Sequence, residues 1–515
     1  MGPQAMLWLQ LMGSAAIAAC AFFESLDQVG PILLVVGMVI FWRTVAASAQ
    51  PFKAGWLWGS LVSFSALRWL LSYIELAWWN IPATLMLSLM MGAQWGLLSL
   101  LSRRINAVWL AAPTLGLTWS LLEWSREHWP LGGLSLGSFS MCAYHYPQIC
   151  DLASCMGHWA IGGWLVTLSI LLAHPKRKLL ICLWLLIIPA YGFMLRMWEA
   201  ADSDSQHQSF KVAMLQTGIY PLVAGENRHI NQESLMAVDE LMAASKIFQT
   251  NSFLDLDALI MPESVVHIGL DSKIVDTEGN TIVMRDIWHR WAKFMRVPLI
   301  LGASWQEGGN SYCGSALIRP DGTEQRYAKT KLLPVAETDL KICQYLPKAW
   351  RPLKGHTAGS GIAIWQLGEN VAVAPGVCYE ETFATLARAR RLAGAQLLIF
   401  NNNDGWYPGS SLYRHHYMHG MLRAIECGCP VAQCGSTGFT GAWSPRGVEV
   451  IPAPQGDSIN LITGIIPISL HWTPFLEWGI GGMWGAWLLL SLATYMQLML
   501  HQGQRQRLRD PVTMH

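Results

Sequence analysis

"NVAVAPGVCYEET", residues 370–382, runs from an apolar, valine-rich segment into a Pro-Gly turn, then a single cysteine, then two consecutive glutamates. The first part has the length and composition of a buried strand. The acids that follow Cys378 at once make this a strand-to-helix elbow, a turn that exposes a nucleophile at its tip. Thiolate is the reactive form of cysteine, and a thiol with an ordinary pKa of about 8.5 needs a base or a cationic neighbour to reach it. The partners must come from elsewhere in the chain.

Similar short apolar runs surround this one: "ALIMPESV", "VPLILGASW", "YCGSALIRPDG", "GIAIWQL", "AQLLIFNNN" and "CPVAQCG". Each reads as a strand of four to eight residues, with "RPDG" as a turn. Residues 230–248, 283–295, 381–394 and 411–428 carry helical spacing. Alternating strands and helices predict a layered α/β domain over 211–470, entered through the polar linker "ADSDSQHQS", residues 201–209. Two of its stretches supply the chemistry that Cys378 lacks. In "LIMPESVV", Glu263 ends an apolar strand, where partial desolvation suits a carboxylate to act as a base. In "RYAKTKLLPVAE", Lys329 and Lys331 offer an ammonium for an oxyanion.

The remainder of the chain is of another kind. Of 515 residues, 52% are hydrophobic and only 13% charged, with 27 tryptophans, well outside the usual soluble balance. Crossing a bilayer takes about 20 apolar residues. Candidate segments are 5–23, 28–42, 54–74, 80–102, 106–122, 154–174, 179–195 and 478–500. The sequence thus divides into a membrane domain over 1–200, the α/β domain, and a last span with its tail over 471–515. Net charge is +1 and no basic patch is interleaved with aromatics, which sets nucleic acid aside. Arg43 and Lys53, Arg103 and Arg104, Lys176 to Lys178, and Arg505, Arg507 and Arg509 fall at alternate segment ends. The positive-inside bias makes those ends cytoplasmic and the α/β domain extracytoplasmic.

In this order, the "PES", "YAKTKLLPVAE" and "CYE" stretches resemble the nitrilase superfamily. With the membrane segments, the chain is similar to the apolipoprotein N-acyltransferase family. The resemblance implies an αββα sandwich held outside a bacterial inner membrane by about eight helices. It matches Glu263 to the family's general base, Lys329 to its lysine and Cys378 to its nucleophile, with Glu337, Tyr379 and Glu380 in support. Gln216 and, in "NNNDGWYPGS", Asn403, Asp404 and Trp406 fall at positions implied to meet substrate. The implied reaction is a ping-pong acyl transfer through a Cys378 thioester, from a phospholipid to the N-terminal amine of a diacylglyceryl-cysteine apolipoprotein, by a monomer needing no cofactor and no metal. A membrane-anchored amidase, and a divergent acyltransferase of the conjugal-transfer TraB type with another acceptor, are the alternatives. "LLPVAE" and "LGGLSLGSFS" depart from the family's usual loops, in regions that recognise the acceptor.

Other residues are read more plainly. His415, His416 and His419 lie on one helix and are expected at its surface rather than on a metal. Cys427, Cys429 and Cys434 have no zinc spacing and read as small buried residues. Loop charge alone generates a test. A topology reporter fused after residue 205 should report a non-cytoplasmic location, and reporters at 175 and at the C-terminus a cytoplasmic one; equal signals at 205 and 515 would mean that 478–500 does not cross.

Overall fold

Each of the eight apolar segments contains a helix in the computed structural model: Pro3–Ala19, Gly30–Ala47, Pro51–Ala66, Asn80–Ser102, Val108–Ser125, Trp159–Ala173, Lys178–Ala201 and Gly481–Arg509. The structure describes residues 2–74, 79–105, 107–130, 132–174, 176–201, 208–221, 255–263, 269–275, 281–334, 337–338, 355–453, 455–456 and 458–509. The expected helix over 230–248 and most of the linker lie outside the described residues. Two units are distinguished: Met1–Arg68, Ile81–Ala201 and Glu477–His515 form the first, and Trp69–Asn80 with Asp202–Leu476 the second.

In the first unit, among the described residues, four helical segments are long and apolar enough to cross a membrane: Pro3–Phe22, Glu24–Ala47, Asn80–Ser102 and Lys178–Leu195. A fifth is obtained if Pro147–Met156 and Trp159–Ala173, bent by 114°, count together. Length explains part of the difference from eight. Pro51–Ala66 has 16 residues, about 24 Å of helix against roughly 30 Å of hydrocarbon. Large rings fill the interior, with Phe41 and Trp58, Trp58 and Trp95, and Trp95 and Trp119 at centroid separations of 4.5, 4.5 and 4.7 Å. Small residues let backbones close elsewhere. A Cβ on Gly116 would lie 2.0 Å from the Thr167 hydroxyl and 2.5 Å from the Gly163 carbonyl, so only glycine allows that helix pair its approach.

The second unit contains the strands in chain order: β1 (Gln208–Gln216), β2 (Ala258–Ile260), β3 (Lys273–Val275), β4 (Thr281–Val283), β5 (Leu299–Glu307), β6 (Asn310–Ile318), β7 (Glu324–Ala328), β8 (Trp365–Leu367), β9 (Val371–Val377), β10 (Leu397–Asn402), β11 (Val431–Gly435), β12 (Gly438–Phe439), β13 (Gly441–Trp443), β14 (Glu449–Ile451), β15 (Gln455–Gly456) and β16 (Asn460–Ile468). One six-stranded sheet runs β16-β1-β2-β5-β6-β7 and the other β14-β13-β11-β10-β9-β8. Period-two patterning explains the layering. On β1, Phe210, Val212 and Met214 point into the core shared with the other sheet, where they join Val371, Val373 and Ile399. Ala213 and Leu215 face the opposite way, onto Trp288, Trp291 and Ala292 of the helix Met284–Met295. The helices Ala384–Leu392 and Leu412–Cys427 pack on the second sheet, against β10 and β11. The layers are therefore αββα, and three expected helices stand within three residues of their expected bounds.

Two features depart from the sequence reading. Segment 54–74 does not continue as one helix: from Trp69 onward it belongs with the α/β unit. There Trp69 and Tyr73 pack on Tyr407 at 5.1 and 4.9 Å, and the Ile74 N–H donates to the Trp406 carbonyl at 3.1 Å. The helix Leu412–Cys427 is no surface helix either. His415, His416 and His419 are all buried, because its other side is covered as well as the side on the sheet. Ile399, at the centre of the inter-sheet core, gives a test of the layering. Ile399→Ala should cost about 2–5 kcal/mol in denaturant unfolding of the purified protein. Val448→Ala, on the surface, should stay within about 0.5 kcal/mol, and equal costs would contradict the assignment.

Candidate active site

Parallel pairing of β9 with β10 and of β10 with β11 brings three strand ends to one edge, and β2 of the facing sheet ends beside them. Polar residues begin where each strand stops. Cys378 follows β9, Asn403 and Asp404 follow β10, and Glu263 follows β2. The Glu263 N–H donates to the Asn402 carbonyl at 3.2 Å, and the Asn401 side-chain amide donates to the Met261 carbonyl at 2.6 Å, so the two sheets are riveted at this edge. Gly302 is required there. A Cβ on it would stand 2.3 Å from the Glu263 Cα.

Cys378 is half-buried and has φ +48°, the left-handed region that a non-glycine residue enters at a cost of about 1–3 kcal/mol. Its neighbours must hold it there. The charged groups set around its thiol are Glu263, Lys329, Glu337 and Asp404. Lys329, fully buried, places its ammonium 2.8 Å from Glu337 Oε1 and 3.3 Å from Glu263 Oε1. Glu337 also accepts the Leu333 N–H at 2.6 Å. Lys331 is drawn elsewhere, its ammonium 5.0 Å over the Phe383 ring. Between the two lysines of the loop, Lys329 is the one at the thiol.

Charge in this site is set by burial and by pairing. Burial pushes the Glu263 carboxyl up, with Lys329 acting against it. The Lys329 ammonium is pulled down by burial but held well above its ordinary value by Glu263 and Glu337. Burial, then the Glu263 charge, pushes the Cys378 thiol well up. The thiol is thereby held in its neutral form, with Glu263 the nearby carboxyl group suited to receive its proton as a bond to sulfur forms.

Behind the elbow, Glu380 is enclosed. Its Oε1 accepts from the Tyr327 hydroxyl, the Thr330 N–H and hydroxyl, and the Lys331 N–H at 2.7, 2.7, 2.8 and 3.2 Å. Its Oε2 accepts from the Val377 N–H at 3.0 Å and the buried Arg390 guanidinium at 2.7 Å. Tyr379 packs edge-on to Phe383. Of the residues matched to substrate contacts, Gln216 is buried and donates to the Gly456 carbonyl at 2.6 Å. Asn403 is buried and accepts from the Ser436 hydroxyl at 2.7 Å, and Asp404 is buried against His416 at 2.6 Å. Trp406 alone of the four is half-exposed.

Asn401, Asn402, Arg390, Glu381 and His416 were not singled out as site residues in the sequence. A weak signal existed for the asparagines, since "FNNN" places amides at the end of a fully apolar strand, where buried polar groups need partners. Burial pushes Glu381 up to about 8. Among the described residues no cluster of three His, Cys, Asp or Glu is placed to hold a metal ion.

Residues 211–468 match the carbon-nitrogen hydrolase family, and residues 14–171 match the apolipoprotein N-acyltransferase N-terminal domain. The apolipoprotein N-acyltransferase of Chlamydia caviae is 25% identical over 54% of this chain and 56% of its own. That of Haemophilus ducreyi is 23% identical over 92% of this chain and 90% of its own. The chain spans little more than half the length of the Chlamydia relatives it matches. Among solved structures, Saccharomyces cerevisiae Nit3, a member of branch 10 of the nitrilase superfamily, aligns with 51% of this chain and 90% of its own at 15% identity, with a TM-score of 0.37.

Glu380 supplies a pH test. Burial raises its pKa, but Arg390 and the hydroxyl and N–H donors outweigh that and hold it below the ordinary value. Its stabilisation is therefore complete above the unfolded pKa of about 4.3 and is lost as pH falls through the folded value. Glu380→Gln should lower stability at pH 7 by about 3 kcal/mol or more, since Arg390 loses its counter-charge. The gap to wild type in thermal unfolding should narrow below pH ~4. A gap independent of pH would show that the charge is not what stabilises.

Proposed function

The chain belongs to the carbon-nitrogen hydrolase family, and from that premise we propose that it is an N-acyltransferase. It moves a phospholipid acyl chain through a Cys378 thioester to the N-terminal amine of a diacylglyceryl-cysteine apolipoprotein. The observation that carries the proposal is the convergence on Cys378, at the strained end of β9, of Glu263 and the buried Lys329, whose ammonium lies 3.3 Å from the Glu263 carboxylate. The apolar helices favour transfer over hydrolysis of a small amide. Both substrates carry acyl chains, and lifting each methylene into water would cost about 0.8 kcal/mol.

In the first half-reaction Glu263 takes the thiol proton while sulfur attacks the ester carbonyl. Lys329 faces the negative charge that develops on oxygen. The C–O bond then breaks, the alcohol leaves with the proton returned by Glu263, and a lysophospholipid departs. In the second half the lipoprotein amine attacks the thioester carbonyl and Glu263 accepts a proton from nitrogen. The C–S bond breaks and the thiol is restored with that proton. Glu337 orients Lys329, and Glu380 fixes the lysine loop to the elbow. No step calls for a metal or an organic cofactor. The proposed setting is a bacterial inner membrane, with the α/β domain on the extracytoplasmic face and the enzyme acting as a monomer.

Purified full-length protein incubated with phospholipid should gain the mass of one acyl chain on Cys378, and a diacylglyceryl-cysteine peptide should discharge it. No adduct, together with turnover of a small amide, would replace transfer by hydrolysis. An adduct that no such peptide discharges would retain the thioester and reject the acceptor. The altered loops make discharge slower than in typical relatives. Cys378→Ser should abolish loading with folding retained, since the hydroxyl is a far poorer nucleophile. Lys329→Met should slow loading by about 100- to 1,000-fold, the effect of losing one oxyanion donor. Wild-type loading in either variant would remove that residue from the mechanism.

A further inference from the structure

The turn that carries the nucleophile ends abruptly. Cys378–Thr382 forms a single tight helical turn, and Phe383 leaves it in an extended conformation. Carbonyls at the end of a helical turn need other donors once the helix stops. Two are met close by: the Tyr379 carbonyl accepts from the Thr382 hydroxyl at 2.8 Å, and the Glu380 carbonyl from the Phe383 N–H at 3.2 Å. The carbonyls of Glu381 and Thr382 are met from another element. Arg423, on the helix Leu412–Cys427, donates to both through Nη1, at 3.0 Å each.

The guanidinium is fully buried and is held along its other edge by Glu426, on the next turn of the same helix. Nε lies 2.6 Å from Oε2 and Nη2 2.9 Å from Oε1. A two-point pairing of this kind fixes the plane of the guanidinium and so gives Nη1 a set direction. Glu381 is held at its side chain as well, where Oε2 accepts from the Asn402 amide at 2.7 Å. The turn is thus tied to the covering helix through its main chain and to the end of β10 through a side chain. Cys378 needs such restraint. At φ +48° its backbone is strained, and a turn free to relax would let it leave that conformation.

We infer that Arg423 is a positioning residue for the nucleophile: oriented by Glu426, its guanidinium locks the last two carbonyls of the turn and so keeps Cys378 in the left-handed conformation from which its thiol reacts. A buried ion pair within one helix would by itself serve only that helix. Here the two bonds from Nη1 leave the helix and end on the turn that follows the nucleophile.

The inference deepens the proposed acyl transfer and rests on Cys378 as its nucleophile, but its test needs no acyl donor. Purified full-length protein is alkylated with iodoacetamide and mapped by peptide mass, so that each cysteine reports separately. Cys378 reads presentation of the nucleophile. Cys427 and Cys434, both buried, read the integrity of the packing, and the exposed Cys182 reads the reagent. Arg423→Met alone would strand a buried carboxylate, so it is combined with Glu426→Gln. The double variant should slow alkylation of Cys378 by about 10- to 100-fold, the range for losing a charge-assisted hydrogen bond, with Cys427 and Cys434 still protected and Cys182 unchanged. Arg423→Lys keeps a cationic donor for the carbonyls and a charge opposite Glu426, and should recover part of that loss. Glu426→Gln alone leaves Nη1 in place and should slow Cys378 less than the double variant does. Wild-type alkylation of Cys378 in the double variant, no recovery in Arg423→Lys, or a wild-type Cys378 that does not react would each overturn the inference. So would loss of protection at Cys427 or Cys434 in every variant that slows Cys378, since the pair would then hold the fold and not the turn. Failure of acyl loading from phospholipid in a wild-type protein that alkylates normally would instead count against the transferase reading and leave the role of Arg423 standing.

Discussion

Glu380 is the residue on which the geometry of the site depends. A carboxylate removed from water costs several kcal/mol unless its lone pairs are occupied, and the donors that occupy these come from three separate segments. Tyr327, Thr330 and Lys331 belong to the loop that carries Lys329, Val377 belongs to the strand that carries Cys378, and Arg390 lies on the helix behind them. Satisfying one buried charge therefore brings lysine and thiol into register. Few arrangements could meet that demand, and those that do not would leave Glu380 or Arg390 unpaired.

The same accounting governs the reacting groups. One ammonium, that of Lys329, lies between two carboxylates, where it opposes the burial that pushes the Glu263 carboxyl up. In the acyl transfer proposed above, a charge appearing on a substrate oxygen would meet an ammonium already in place, with little reorganisation left to occur during reaction. Rigidity of this kind also accounts for the amides of Asn401 and Asn402. The Asn401 amide reaches the facing sheet and the Asn402 amide holds Glu381 of the elbow, in places where an apolar residue would fill space but fix no orientation.

Glu263, Lys329 and Cys378 were legible because each stands at the end of an apolar run, where the change of residue type is visible without knowledge of the fold. The alternating strands and covering helices were legible for the same reason. Arg390 was not. It shares "ARARRLAG" with two other arginines, and only the third dimension selects the one that is buried. His416 was read as a surface residue because helical histidines usually are, and nothing local shows that a helix is covered on both sides. β16 escaped because its partner, β1, is far away in sequence, although the two pair over nine residues. Trp69–Ile74 was hidden inside segment 54–74, where apolar residues resume directly after Arg68.

That last segment has a consequence for the history of each molecule. Trp69, Tyr73 and Ile74 leave the ribosome long before Trp406 and Tyr407, with which they pack. The strap must therefore wait for the loop beyond Asn403 to be made, and the α/β unit is not a contiguous length of gene. A fragment beginning at the first strand would be born without its own aromatic floor. Recombination that exchanged the N-terminal half between relatives would carry that floor with it, so the two halves are obliged to evolve as a matched pair.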